Sequence, residues 1–188
     1  SRNKRANRKS EFLLHDAEFL ASYASLLDSG YDYPKETLRK AWELVCLNQF
    51  HDIIPGSSIE EAYVESQQQY AHIRELGEGV KQAALSSLAS YSGGDVIIAN
   101  PSSFDRYDLV TVEGVAAGRS LQRTDGTPVE TQMTADGKLL INPGKLAPLS
   151  ITPLRYTSDA AVEQENTLTA TPSLLENAYV RVELNDDG

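Results

Sequence analysis

The sequence predicts an α+β chain in two parts, an antiparallel three-helix bundle over residues 1–91 and a mainly antiparallel β-region over residues 95–188. Three observations predict it. Apolar residues recur in steps of four and three through the first half, as one face of a helix requires. After Ser92-Gly93-Gly94 the period changes to alternation, the signature of strands with inequivalent faces. Asp125-Gly126, Asp136-Gly137 and Pro143-Gly144 then punctuate the second half as turns, because glycine tolerates reversed dihedrals.

The first helix carries the stripe Leu13, Ala17, Leu20, Ala24 and Leu27, and Gly30 to Pro34 breaks it. Pro34 or Lys35 opens the second, with Leu38, Trp42 and Val45 at helical spacing and Leu44, Leu47 and His51 on a second line, up to the break at Pro55-Gly56. Ser57 and Ser58 stand three residues before Glu60 and Glu61, so either pair can form a capping box for the third helix. That helix steps through Ile59, Tyr63, Ser66, Tyr70, Ile73, Gly77, Val80, Ala84 and Ser87. Several of these are small or polar, which predicts close helix approach, and Tyr63 and Tyr70 are assigned to the core. Short breaks between three stripes imply antiparallel neighbours. The strands are placed at Val96–Ala99, Leu109–Val112, Leu139–Ile141, Leu149–Tyr156 and Tyr179–Leu184. In the last, Val180, Val182 and Leu184 alternate with Tyr179, Arg181 and Glu183, so one face should be wet.

Composition narrows the function classes. A formal net charge of −10 excludes nucleic acid binding, which needs a basic footprint. The basic run Arg2, Lys4, Arg5, Arg8 and Lys9 reads as a solvated helix face, or as one turned toward another domain. Cys46 is the one cysteine, so no internal disulfide forms and a reducing, cytoplasmic compartment is expected. Its place inside an apolar helix assigns it to packing. No long apolar run or leader predicts a membrane association.

The segment Asn48-Gln49-Phe50-His51-Asp52-Ile53-Ile54-Pro55-Gly56-Ser57-Ser58 carries the chemistry. It places a potential metal ligand, His51, beside a carboxylate, Asp52, near the junction of the second and third helices, with the ring expected to face an end of the bundle. The residues alone leave two readings open. His51 is a metal ligand, or it is a core or capping histidine with Asp52 a solvated helix-end residue, since metal sites need three or four ligands.

The run AWELVCLNQFHDIIPGSSI from Ala41 to Ile59 resembles the helix-turn segment of the family-38 glycoside hydrolases, the zinc-dependent retaining α-mannosidases. Its Asn-Gln-Phe before the His-Asp and Pro-Gly-Ser-Ser after it are similar to the cytosolic and bacterial branch. KRANRKSEFLLHDAE (Lys4 to Glu18) resembles the family's first bundle helix, and VIIANPSSFDR (Val96 to Arg106) its first β-region strand. LENAYVRVELNDDG (Leu175 to Gly188) resembles the opening hairpin of its large β-sandwich.

The resemblance implies that His51 ligates Zn2+ and that Asp52 holds a mannose hydroxyl. It implies that the other ligands, a His-x-Asp pair and the nucleophilic aspartate, belong to an N-terminal α/β domain, which this sequence does not contain. His15-Asp16 is no substitute, because those residues are adjacent and lie within a helical segment. No catalytic residue is therefore expected here. The chain should be an internal piece of a larger enzyme acting on a mannoside or oligosaccharide, completed by that domain and by further C-terminal β-domains. A hairpin turn at Asp187-Gly188 without a return strand fits an internal piece. The alternative function is a non-catalytic helical and β scaffold or a carbohydrate-binding module. A domain bearing His-x-Asp and the nucleophile decides for the enzyme.

Overall fold

The computed structural model describes residues 2–114, 119–157 and 168–185. Among the described residues three helices, α1 (Arg2–Leu27), α2 (Lys35–Asn48) and α3 (Glu60–Ser92), precede nine strands. The direction of each helix follows from its side-chain bonds. Gln67 donates to Asn3 at 2.7 Å and Ser87 to Asp28 at 2.7 Å, so α1 and α3 run the same way. Gln49, just past the end of α2, donates to Asn7 near the start of α1 at 3.1 Å, so α2 runs against both.

The three apolar stripes meet in one core, in which Leu14, Ala17, Ala24, Ala41, Ile73 and Ala84 are wholly buried. Ala17, Ala21, Ala24, Ala41 and Ala84 stand among its larger side chains. At Gly77 an added Cβ would lie 2.8 Å from Leu13 and 3.1 Å from Leu14, so α1 and α3 touch almost backbone to side chain there. Tyr70 is buried as expected. Several stripe residues are not core: Leu27 and Ile59 are exposed at helix ends, and Leu47 is exposed because it lies off the buried line of Leu38, Ala41, Val45 and Asn48. Cys46 is exposed too, one residue past buried Val45 and turned away from the stripe Leu38, Ala41, Val45 and Asn48. Its expected packing role is corrected.

Gly93 closes α3 in the left-handed conformation (φ 62°) and donates to Ala89. Six strands, β1 (Val96–Asn100), β2 (Val110–Val112), β3 (Ser120–Arg123), β4 (Pro128–Met133), β5 (Leu139–Asn142) and β6 (Ser150–Thr157), form an antiparallel sheet in the order β1-β6-β3-β4-β5-β2. The register pairs Leu121 with Tyr156, Leu121 with Val129, and Thr131 with Ile141. Ile98 of one edge strand and Val110 of the other join one cluster with Leu121, Ile141 and Leu154, so the sheet curls about that core. Ile97, Ala99 and Ile151 point the other way and pack on the helical core. The alternation in β1 thus joins the two halves.

Asn100, almost wholly buried, ends β1. Its amide donates to the carbonyls of Phe104 (2.9 Å) and Ala147 (2.8 Å), and its oxygen accepts from the Ser102 N–H (3.1 Å). The Asn-Pro segment is therefore a clamp between two loops.

A separate three-stranded antiparallel sheet holds β7 (Thr169–Thr171), β8 (Leu174–Glu176) and β9 (Arg181–Glu183). Strands β3, β4, β7 and β8 were not among those placed from the sequence: β3 and β4 bury one residue each, and β7 and β8 have three residues each. The last strand is corrected as well. Val180, Val182 and Leu184 are exposed along with Tyr179, since no other described element lies against them. The expected turn at Asp187-Gly188 lies outside the described residues. Among the described residues no helix is long and apolar enough to cross a membrane.

Candidate functional site

The His-Asp segment is a compact turn, not the tail of a helix. Helix α2 stops at Asn48, and the chain then folds on itself: Phe50 donates to Leu47 O at 3.1 Å, and Ile53 and Ile54 to Phe50 O at 2.9 and 3.1 Å. Gly56 has φ 101°, the reversed backbone that glycine supplies cheaply. The expectation that His51 continues the α2 face is thereby corrected. The capping boxes are corrected too: Ile59 is the N-cap of α3 and no side chain caps it. The Ser58 N–H instead donates to the Tyr63 hydroxyl at 2.8 Å, one turn into the helix. That phenol accepts the bond that the glutamate of a capping box would have accepted from the serine N–H.

His51 stands where expected, between α2 and α3, at the end of the helices shared with the start of α1. Its side chain is 75% exposed and that of Asp52 62%. The two meet each other, His51 Nε2 lying 3.5 Å from Asp52 Oδ2, and Phe50 leans on the imidazole with ring centroids 4.2 Å apart. This exposure removes the core reading of His51. Among the described residues no group of three or more His, Cys, Asp or Glu is arranged to hold a metal ion. One imidazole and one carboxylate can donate to a zinc ion but do not close a site. His15 pairs with Asp16 at 3.1 Å on the exposed face of α1, well along the helix from the turn.

What fixes the turn is a set of amides that sequence reasoning passed over. Asn48 is fully buried; its amide donates to Leu44 O (2.9 Å) and Gln69 (2.7 Å), and its oxygen accepts from the Ser66 hydroxyl (2.6 Å). Gln49 donates to Asn7 (3.1 Å) and Glu11 (2.9 Å). The first two residues of the motif thus tie it to α3 and α1, leaving the next three, Phe50, His51 and Asp52, free to project. A signal was present: Asn48 is a polar residue on the apolar line of Leu38, Ala41 and Val45. The Arg8 guanidinium, with help from Asn7 and Gln49, holds the Glu11 carboxyl below the usual range against its partial desolvation. Burial, with the Glu11 charge nearby, pushes the Tyr70 phenol up to about 12.

Residues 1–88 match the family model described as the α-mannosidase middle domain. Over 187 residues the chain is 29% identical to human alpha-mannosidase 2C1, covering 98% of this chain and 17% of that protein. Over 64 residues, 34% of this chain and 6% of the relative, it is 44% identical to the alpha-mannosidase of Saccharomyces cerevisiae. The helical half thus matches an α-mannosidase middle domain, and the chain is similar to α-mannosidases along nearly its whole length. A solved glycosyl hydrolase family 38 protein from Enterococcus faecalis shares the fold with a TM-score of 0.67 at 18% identity, over 98% of this chain and 28% of that one. The chain therefore spans about a sixth of the length of the full-length curated relative.

Proposed function

We propose that this chain is the part of a zinc-dependent retaining α-mannosidase that presents one metal ligand and one sugar contact. Residues 1–91 are read as the three-helix-bundle middle domain, and residues 95–188 as the opening of a β-sandwich. His51 would donate Nε2 to Zn2+, and Asp52 would accept a hydrogen bond from a mannose hydroxyl. The bound zinc would engage the sugar's hydroxyls and favour ring distortion. The remaining ligands, the nucleophile and the acid-base carboxylate would come from other parts of the protein, and a cytoplasmic setting suits a chain whose one cysteine is unpaired.

The observation that carries this reading is the pairing of a buried anchor with an exposed His-Asp. Asn48 and Gln49 are bonded into the helices, whereas His51 and Asp52 are held out on a short turn. A histidine kept for packing would be buried, and a solvated loop would need no such anchor. The non-catalytic scaffold reading accounts for the anchor through stability but gives no reason for His51 and Asp52 to be held out together.

The test uses the complete protein with an aryl α-mannoside. Asp52→Asn should leave zinc bound and lower kcat/KM by one to two decades, the equivalent of about 1.5–3 kcal/mol for a hydrogen bond to a charged acceptor. The 188-residue chain alone, with zinc added, should show no turnover, because retaining hydrolysis needs two carboxylates roughly 5 Å apart around the glycosidic bond. Unchanged kinetics in Asp52→Asn, or turnover by the chain alone, would contradict the assignment.

A further inference from the structure

On another side of the helices, α1 and α3 enclose a groove of about 490 Å³ with Tyr70 in its wall. Arg2, Arg5 and Lys9 line it from α1 and Arg74 from α3. None of these four cations makes a hydrogen bond or ion pair among the described residues. Arg8, from the same basic run but outside the groove, behaves differently: it pairs with Glu11 at 2.8 Å and lies over the Phe12 ring at 4.7 Å. The two acids of the lining lie further along the helices, where Glu78 pairs with Lys81 at 2.6 Å and Asp16 with His15 at 3.1 Å. One end of the groove is therefore a concentrated positive charge, on a chain whose 27 acidic residues outnumber 17 basic ones.

Gathering four unpaired cations in one concavity is unfavourable unless something anionic enters it. The volume suits a small molecule and is too narrow for a protein domain or a nucleic acid duplex. A phosphate group carries about −1.5 to −2 charges at neutral pH, so two of them would balance the four cations. Arg2 and Lys9 are separated by about 10 Å along the helix axis, room for two phosphates but more than one needs. Three of the four cations, Arg2, Arg5 and Arg74, are arginines, and the guanidinium fork binds phosphate oxygens two at a time.

We propose that the groove between α1 and α3 binds a small molecule carrying two phosphate groups, at a site separate from the His51-Asp52 turn. Isothermal titration of the full-length protein with sodium diphosphate, at constant ionic strength, should give saturable one-to-one binding. Arg5→Gln and Arg74→Gln should each weaken it at least tenfold, whereas Arg119→Gln, whose guanidinium lies over Tyr156 in the β-region, should leave it unchanged. A parallel titration with fructose 1,6-bisphosphate separates two sources of the ligand. Equal affinity assigns recognition to the phosphates alone, and tighter binding assigns part of it to a sugar between them. Absence of saturable binding to either probe, or equal binding in wild type and the two groove variants, overturns the proposal. Should those variants fail to fold, acetylation of the wild-type protein decides: diphosphate should slow modification of Lys9 at least threefold relative to exposed Lys40, and equal rates overturn the proposal.

Discussion

Asn48 shows how much of this structure is set by single polar side chains. It is fully buried and serves three partners on two helices, the Leu44 carbonyl, Gln69 and Ser66. Asn48→Ala would leave the Ser66 hydroxyl without its acceptor and the Leu44 and Gln69 oxygens without that donor. A buried polar group left unpaired costs about 1–3 kcal/mol, so a loss of about 2–3 kcal/mol is expected. Urea unfolding followed by Trp42, the chain's one tryptophan, measures it; a loss under about 0.5 kcal/mol would mean that the buried network does not hold the turn. Asp28 makes a pH-dependent counterpart at the opposite end of the helices. Its carboxylate accepts from Ser87 (2.7 Å) and the Gly30 N–H (2.9 Å), and these bonds hold its pKa below the ordinary 3.8. A depressed folded pKa adds stability that is complete above the unfolded value and is lost as pH falls through the folded one. Ser87→Ala should therefore be less stable than wild type by a constant margin from neutral pH down to about 4. The margin should shrink below that, as Asp28 protonates in both proteins. A margin that widens in acid would reverse the assigned sign.

Two glycines of α3, two positions apart, test the packing of the helices as elements. Alanine is favoured over glycine inside a helix by about 0.8–1 kcal/mol. At Gly79 nothing lies within 4 Å of an added Cβ, so Gly79→Ala should stabilise by roughly that amount. At Gly77 the same methyl meets Leu13 at 2.8 Å. Overpacking of a core costs about 1–3 kcal/mol, which outweighs the propensity gain, so Gly77→Ala should be net destabilising. Thermal unfolding of the pair should show opposite signs; two stabilised variants would mean that α1 and α3 separate easily. The elements also differ in how openly the sequence declared them. Long stripes such as Ala17 to Ala24 and Ile73 to Ala84 repeat the helical period several times, so α1 and α3 were legible. The strands β3 and β4 were not, because their outward residues are polar and only Leu121 and Val129 are buried; only the Asp125-Gly126 turn between them showed. The cap of α3 was misread for a local reason: the sequence shows serines and glutamates at the right spacing, but not that the Tyr63 hydroxyl reaches back to the Ser58 N–H.

At the scale of the whole molecule, the helical half and the curled sheet meet through Ile97, Ala99 and Ile151, while the second sheet leaves its apolar residues outside. The His51-Asp52 pair was legible through a family resemblance in the string around it, not through spacing. Spacing could not supply it: one histidine beside one carboxylate is a pattern that a solvated turn shows equally well. The anchor residues Asn48 and Gln49 were inside the quoted motif yet unassigned, since their partners on α1 and α3 are distant in sequence. The central claim is that His51 is held out of the fold in order to bind metal. It is tested most directly by the zinc content of the complete protein carrying His51→Ala, measured by mass spectrometry alongside mannosidase activity. An exposed side chain contributes little to stability, within about 0.5 kcal/mol. The substitution should therefore leave folding of the metal-free protein unchanged. Zinc should fall well below one per chain, with activity reduced by at least the 10–100-fold typical of losing even an outer-sphere contact to a metal. Full zinc occupancy and full activity in His51→Ala, with only a lowered Tm, would contradict the account.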